Sequence, residues 1–164
     1  KRHRNRQKVA KRDERAQELS HKAFGILSLN KARHAIPQLA LKYRLVDILA
    51  CPICRNFPLE LHVFQAEKRY SVEDATPCEL YCSYHGGMVS SLPETRCVEC
   101  YSYEIIDGLL VCRKCMRWYP VIDEIPIMLP DDMRSSKREL EFLRKWSSRV
   151  PEEVLKTGLP FNLG

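Results

Sequence analysis

The residues of this chain best suited to chemistry are its eight cysteines, which fall as four close pairs: Cys51/Cys54, Cys78/Cys82, Cys97/Cys100 and Cys112/Cys115. A Cys-x-x-Cys turn aims two thiolates at one point, and two such turns supply the four sulfur ligands of a tetrahedral zinc ion. Four pairs therefore predict two Zn2+ ions. A disulfide framework, the other use of so many thiols, belongs to short secreted domains, and here no apolar signal segment is visible. Closed four-ligand sites are structural: they contribute folding free energy to a small core and leave no open position for water or substrate.

Four pairs can be matched in three ways, and loop length alone does not choose among them. Sequential matching joins Cys51/Cys54 to Cys78/Cys82 and Cys97/Cys100 to Cys112/Cys115; nested matching joins the outer pairs to each other and the inner pairs to each other. The flanking sequence favours nesting. Leu59 to Phe64 alternates apolar and polar, the period of a half-buried strand, while Glu104 to Val111 and Arg117 to Ile122 enter and leave the last turn as strands. Leu45, Ile48 and Leu49 recur at helical spacing ahead of Cys51, and Asp107-Gly108 reads as a tight hairpin between apolar runs. The inner pairs sit in a turn-rich insertion, about residues 65 to 103, with Pro77, Gly86, Gly87 and Pro93. His85 is a possible substitute for one inner sulfur, and His62 reads as a polar strand residue.

The fold expected from these elements is small α+β: a zinc-ribbon antiparallel sheet with a second zinc-binding insertion, followed by C-terminal helices. Ser136 with Glu139 three residues on forms a capping box, and Leu140, Leu143, Trp146 and Val150 follow at helical intervals, with Trp146 as a core anchor. Pro151 opens a further short helix that Gly158 ends. Ile122, Ile125, Ile127, Met128 and Leu129 are more apolar residues than a small ribbon can bury on one strand. Pro126 and Pro130 suit an edge, which invites another chain to pair with it unless the C-terminal helix covers it.

Charge divides the chain. Residues 1 to 44 carry 13 Lys and Arg against 3 Asp and Glu, whereas the remainder holds 14 against 18. Lys1, Arg2, Arg4, Arg6, Lys8, Lys11, Arg12 and Arg15 form a run that would bind a polyanion such as rRNA or tRNA by releasing counterions. Apolar residues from Val9 to Leu29 give it a thin stripe at helical spacing, so a basic helical arm over residues 1–42 is expected, with Pro37 in its connector to the body. The zinc-ribbon domain then spans 43–134 and the helical segment 135–164. The chain starts at Lys1 rather than Met, which leaves open a targeting peptide removed ahead of it. No stretch has the roughly 18 apolar residues of a membrane helix, so a soluble, cytoplasmic protein with no membrane partner is expected. No glycine loop cradles phosphate and the carboxylates are scattered, so no catalytic residue and no small-molecule substrate are expected.

The outer frame carries a resemblance. Leu49-Ala50-Cys51-Pro52-Ile53-Cys54 with Pro58-Leu59-Glu60-Leu61, then Gly108 to Cys115, then Trp118-Tyr119-Pro120-Val121-Ile122-Asp123-Glu124-Ile125-Pro126-Ile127-Met128-Leu129-Pro130, resembles the zinc-ribbon activator subunit family of S-adenosylmethionine-dependent methyltransferases, the tRNA methyltransferase subunit 11-2 family. The cysteine-rich insertion and the Pro160-Phe161-Asn162-Leu163 ending resemble its archaeal members. The resemblance covers residues 43 to 164 and strengthens the nested pairing: Cys51, Cys54, Cys112 and Cys115 for one ion, Cys78, Cys82, Cys97 and Cys100 for the other. It implies a noncatalytic subunit that binds and activates methyltransferases acting on tRNA, rRNA or translation factors, pairing through Glu124 to Leu129 beside Trp118 and Tyr119. The basic arm has no counterpart in the short relatives. It supports a second reading, a structural zinc protein of the ribosome or another ribonucleoprotein.

Overall fold

The structure, a computed structural model, describes residues 41–164; residues 1–40 of the basic arm, with the helix and RNA contacts expected of them, lie outside the described residues. A four-stranded antiparallel sheet organises the body in the order β1-β4-β5-β6, formed by β1 (Glu60–Lys68), β4 (Tyr103–Val111), β5 (Trp118–Ile122) and β6 (Ile125–Pro126). Four short α-helices accompany it among the described residues: α1 (Tyr43–Val46), α2 (Cys97–Ser102), α3 (Ser136–Lys145) and α4 (Glu152–Thr157). Between β1 and β4 lies the insertion, residues 69 to 102, whose only sheet is the two-residue hairpin of β2 (Tyr81–Cys82) and β3 (Gly87–Met88). No helix among the described residues is long and apolar enough to cross a membrane.

The sheet is buried on both faces. One side holds Leu41, Tyr43, Val46, Leu59, Ile105 and Leu110, with the zinc-ribbon cysteines at its end. The other holds Phe64, Leu109, Val111 and Trp118 under Phe142, Leu143, Val150 and Val154 of the C-terminal helices. Alternation along β5 explains the split, since Trp118 enters one layer while Tyr119 and Val121 enter the other. Leu41 is buried and its carbonyl accepts from the Ile105 amide at 2.8 Å, so the end of the expected connector belongs to the body.

Asp107-Gly108 is not a hairpin. Both residues lie inside β4, where Gly108 lets the two backbones approach: a Cβ there would stand 2.9 Å from the His62 carbonyl oxygen. The register explains the misleading pattern. Phe64 in β1 and Ile106 in β4 are each left without a partner, two bulges that compensate one another and flip the side-chain parity of β4, so Ile105 and Leu110 share a face. The tight turn falls instead at Asp123 and Glu124, with φ of 48° and 71°, joining the Ile122–Ile125 pair without a glycine.

The remaining expectations fare unevenly. A single turn, α1, does precede Cys51, but it buries Tyr43 and Val46 and leaves Leu45 and Ile48 in solvent. The capping box does not form: Ser135 is the N-cap of α3, no side chain caps it, and Glu139 is bound by the guanidinium of Arg134 instead. Trp146 packs on Phe64 at 5.1 Å between ring centres, as a core anchor would. Pro151 and Gly158 bound α4 as expected.

Candidate metal centre

The first and last cysteine turns are copies of each other. In each, the amide of the residue after the second cysteine donates to the carbonyl of the first: Arg55 to Cys51 at 2.8 Å, Met116 to Cys112 at 2.9 Å. In each, that residue is left-handed with φ of 57°, and the first cysteine's own amide closes the loop, onto Asn56 in one turn and Arg117 in the other. Such a knuckle points both thiols of a pair away from the chain. Because β1 and β5 flank β4, the two knuckles meet at one end of the sheet.

Their sulfurs meet at ligand spacing. Cys51 Sγ is 3.7 Å from Cys115 Sγ and Cys54 Sγ is 3.4 Å from Cys112 Sγ, and all four lie within 4.8 Å of one another. A tetrahedral ion with zinc–sulfur bonds of about 2.3 Å separates its ligands by about 3.8 Å. The donor set and spacing therefore fit Zn2+, held by Cys51, Cys54, Cys112 and Cys115, and the two outer pairs meet each other as the strand pattern implied. Four thiolates close the coordination shell, so the centre's chemistry is that of a structural clamp.

The surroundings prepare unequal thiols. Burial works to raise the Cys51 thiol, but the amides of Cys54 and Ile53 and the Tyr119 hydroxyl outweigh it and bring it down to about 6. Burial pushes the Cys112 thiol up to about 12, with the neighbouring Cys54 and Cys115 opposing a second charge. Tyr119 itself is held neutral, first by burial and then by Cys51. This hydroxyl, 3.2 Å from Cys51 Sγ, escaped sequence reasoning, because nothing in a tyrosine two residues beyond Arg117 marks it as a partner of a cysteine 68 positions earlier.

The inner cysteines do not close in the same way. Among the described residues, the outer quartet is the one group whose ligand atoms all fall within 4.8 Å. Cys78, Cys82 and Cys100 are buried, while Cys97 is half-exposed and lines an open cavity of about 580 Å³ with Lys68, Ser71, Val72 and Arg96. Cys82 Sγ lies 3.4 Å from His85 Nδ1, and Cys78 Sγ donates to Asp47 Oδ2 at 3.1 Å. Burial pushes the Cys100 thiol up to about 12, and nearby Cys82, Asp47 and Cys97 add to this. His62 is the strand residue expected, in β1 with Nε2 2.9 Å from Glu60 Oε1.

At the opposite margin of the sheet, β6 extends only over Ile125–Pro126, shorter than the pairing strand expected from Glu124 to Leu129. Ile127 adds one further bond, its amide donating to the Pro120 carbonyl at 2.8 Å, after which the chain leaves the sheet. Ile125 is 57% exposed; Ile127, Met128 and Leu129 are half-buried, Met128 against the core. Trp118 and Tyr119 are fully buried on the two faces of β5, so they hold the margin in place rather than offer surface to a partner. The RNA-contacting residues expected between Lys1 and Arg15 lie outside the described residues.

Residues 42–124, just over half of the chain, match the family model described as Trm112p-like protein. The match takes in both knuckles, the whole insertion and β1 to β5. No curated protein and no solved structure matches the chain significantly.

Proposed function

The chain belongs to the Trm112p-like protein family, and on that premise we propose that it is a noncatalytic subunit that binds and activates S-adenosylmethionine-dependent methyltransferases acting on tRNA, rRNA or translation factors. Members of the family are activator subunits without catalysis of their own. The observation that supports the reading here is the β6 margin. β6 is the last strand of the sheet, its outer side faces no further strand among the described residues, and Ile122 and Ile125 stand exposed beside its turn. An apolar, unprotected edge is what a second sheet pairs with. Zinc at Cys51, Cys54, Cys112 and Cys115 ties the opposite end of the sheet, so the margin is presented by a rigid body. A second zinc in the inner cysteine group fixes the insertion. The test is capture of a methyltransferase by the full chain: Ile122→Asp with Ile125→Asp, at the two exposed positions, abolishes capture and leaves zinc content unchanged, and undiminished capture would refute docking at this margin.

The charge of residues 1 to 44 favours a second role for the arm, contact with rRNA or tRNA in the cytoplasm, on the ribosome or another ribonucleoprotein. Association with ribosomal subunits that requires residues 1–42 and falls steeply with added salt supports this role. Association indifferent to both would refute it.

A further inference from the structure

Positive charge on the body is gathered in one place. Residues 136 to 149, which comprise α3 and the turn beyond it, hold Lys137, Arg138, Arg144, Lys145 and Arg149, five of the 16 Lys and Arg of residues 41–164. Against them stand only Glu139 and Glu141, two of the 18 Asp and Glu. The rest of the body is therefore acidic, and the excess on α3 is local rather than its share of a general positive charge.

These cations are also left free where others are not. Eight of the other eleven lie within 4.0 Å of a carboxylate. Among the described residues Lys137, Arg138 and Arg144 have no such partner, Lys145 reaches Asp107 at 3.6 Å, and Arg149 is engaged by the Val63 and Phe64 carbonyls. Glu139 is buried against Arg134, which leaves Glu141 as the one exposed carboxylate of the helix.

Helical geometry puts the free cations on one face. At about 3.6 residues per turn, Lys137, Arg138, Glu141, Arg144 and Lys145 fall within an arc of about 120° and along about 12 Å of axis. All five are exposed. The opposite side of α3 is fixed, with Phe142 and Leu143 buried and Leu140 packed against the same layer, so the arc cannot rotate inward. Its first turn adjoins the docking margin, since Arg138 lines a small cleft with Ile122, Ile127 and Leu129. Cations held this close repel one another, and a polyanion relieves that repulsion while releasing its own counterions. An anionic lipid surface would require an apolar face to insert, and the apolar face of α3 is already committed to the core. A phosphate backbone requires no insertion.

We propose that the outward face of α3, formed by Lys137, Arg138, Arg144 and Lys145, is a binding site for the phosphate backbone of RNA, separate from the basic arm. Beside the docking margin, it gives the RNA substrate of a bound methyltransferase a hold on this subunit. That second step rests on the activator reading; the phosphate site itself does not.

Binding of fluorescently labelled bulk tRNA to the full-length protein, measured across a series of salt concentrations, tests the site. The triple variant Lys137→Gln, Arg138→Gln and Arg144→Gln is expected to bind at least about tenfold more weakly and to lose about two from the slope of log affinity against log salt, since each phosphate contact contributes about 0.7–0.9. A control triple, Lys68→Gln, Arg96→Gln and Lys156→Gln, removes the same charge from scattered exposed positions. It should weaken binding less than about threefold and leave the slope unchanged. Unaltered circular dichroism and zinc content report that both variants are folded. Equal losses from the two triples, or an unchanged slope in the α3 triple, would overturn the proposal. So would phosphatidylserine vesicles whose binding, in place of that of tRNA, depends on the three α3 residues. Ile122→Asp with Ile125→Asp is expected to lose the methyltransferase and keep full tRNA affinity. A wild-type chain that captures no methyltransferase, while its α3 triple still shows the change in slope, would keep the phosphate site and overturn only the activator reading.

Discussion

The Tyr119 hydroxyl lies 3.2 Å from Cys51 Sγ, joining a fully buried ring in β5 to a zinc-knuckle sulfur in the same core layer. A donor on a ligating thiolate disperses its charge and fixes its direction, and removing such a partner costs about 10–100-fold in metal affinity. Tyr119→Phe keeps the ring, and with it the packing against Leu110 and Val121 in the same layer. Competition against a chromophoric chelator should show zinc released at least about tenfold more readily, with far-UV circular dichroism unchanged while zinc is bound. Equal affinities would make the contact merely spatial.

Arg134 and Glu139 form the most deeply buried ion pair among the described residues. The Arg134 side chain is 0% exposed, its Nε donates to Glu139 Oε1 at 2.8 Å, its Nη2 to Oε2, and its guanidinium carbon lies 5.0 Å from the Trp118 ring centre. Breaking a buried pair leaves an uncompensated charge and costs about 3–5 kcal/mol, whereas an exposed helical pair contributes about 0.3–0.5 kcal/mol. Glu139→Ala should lower the urea midpoint far more than Lys156→Ala, which loosens only the exposed pair with Glu152 on α4. Comparable losses from the two would show that Arg134 finds another partner.

Much of the candidate site was legible because knuckles are local: Cys51-Pro52-Ile53-Cys54 and Cys112-Arg113-Lys114-Cys115 declare themselves in four residues, and strands on either side declare which pairs meet. What stayed hidden depends on partners far along the chain. The Asp107-Gly108 pattern is that of a turn, yet Asp107 is buried near Lys145, with Nζ 3.6 Å from its Oδ2, and Gly108 serves strand contact. The real turn at Asp123 and Glu124 lacks the glycine that usually announces one. Ser136 and Glu139 had the spacing of a capping box, but a buried arginine competed successfully for the glutamate. Paired bulges at Phe64 and Ile106 restore the ladder register, so the break in alternation that they put into β4 reads in the sequence as a turn at Asp107-Gly108.

Gly108 gives that lesson a measurable form. A methyl group on it would meet the His62 carbonyl oxygen at 2.9 Å, backbone that cannot rotate away, so Gly108→Ala must push β1 off β4. Overpacking of this kind costs about 1–3 kcal/mol. A turn glycine in open space, Gly86 with φ of 69° and nothing near its Cβ position, would suffer only the left-handed strain of about 1–2 kcal/mol and only in the insertion. Hydrogen exchange should separate the two: Gly108→Ala accelerates amides throughout β1 and β4, Gly86→Ala only those of β2 and β3. Exchange confined to the neighbourhood of residue 108 would mean that the strands accommodate the methyl group locally.

The bulge at Phe64 has its own fastening. Val63 and Phe64 stand where the ladder is interrupted, and Arg149, just beyond α3, donates to both carbonyls, with Nη2 3.1 Å from Val63 O. The same guanidinium carbon is 5.8 Å from the Phe64 ring centre, so it also covers the residue that the bulge turns into the helix-facing layer. Water can reach these carbonyls once Arg149 is truncated, which limits the loss to about 1–2 kcal/mol, the worth of one or two hydrogen bonds to a charged donor. A lysine supplies a point charge rather than a planar fork and cannot hold two adjacent carbonyls in the same way. Arg149→Ala should therefore destabilise the chain by that amount in urea unfolding, and Arg149→Lys should recover less than half of it. Full recovery by lysine would reduce the contact to charge alone, and no loss in either variant would mean that the bulge is held by its packing against Phe142 and Trp146.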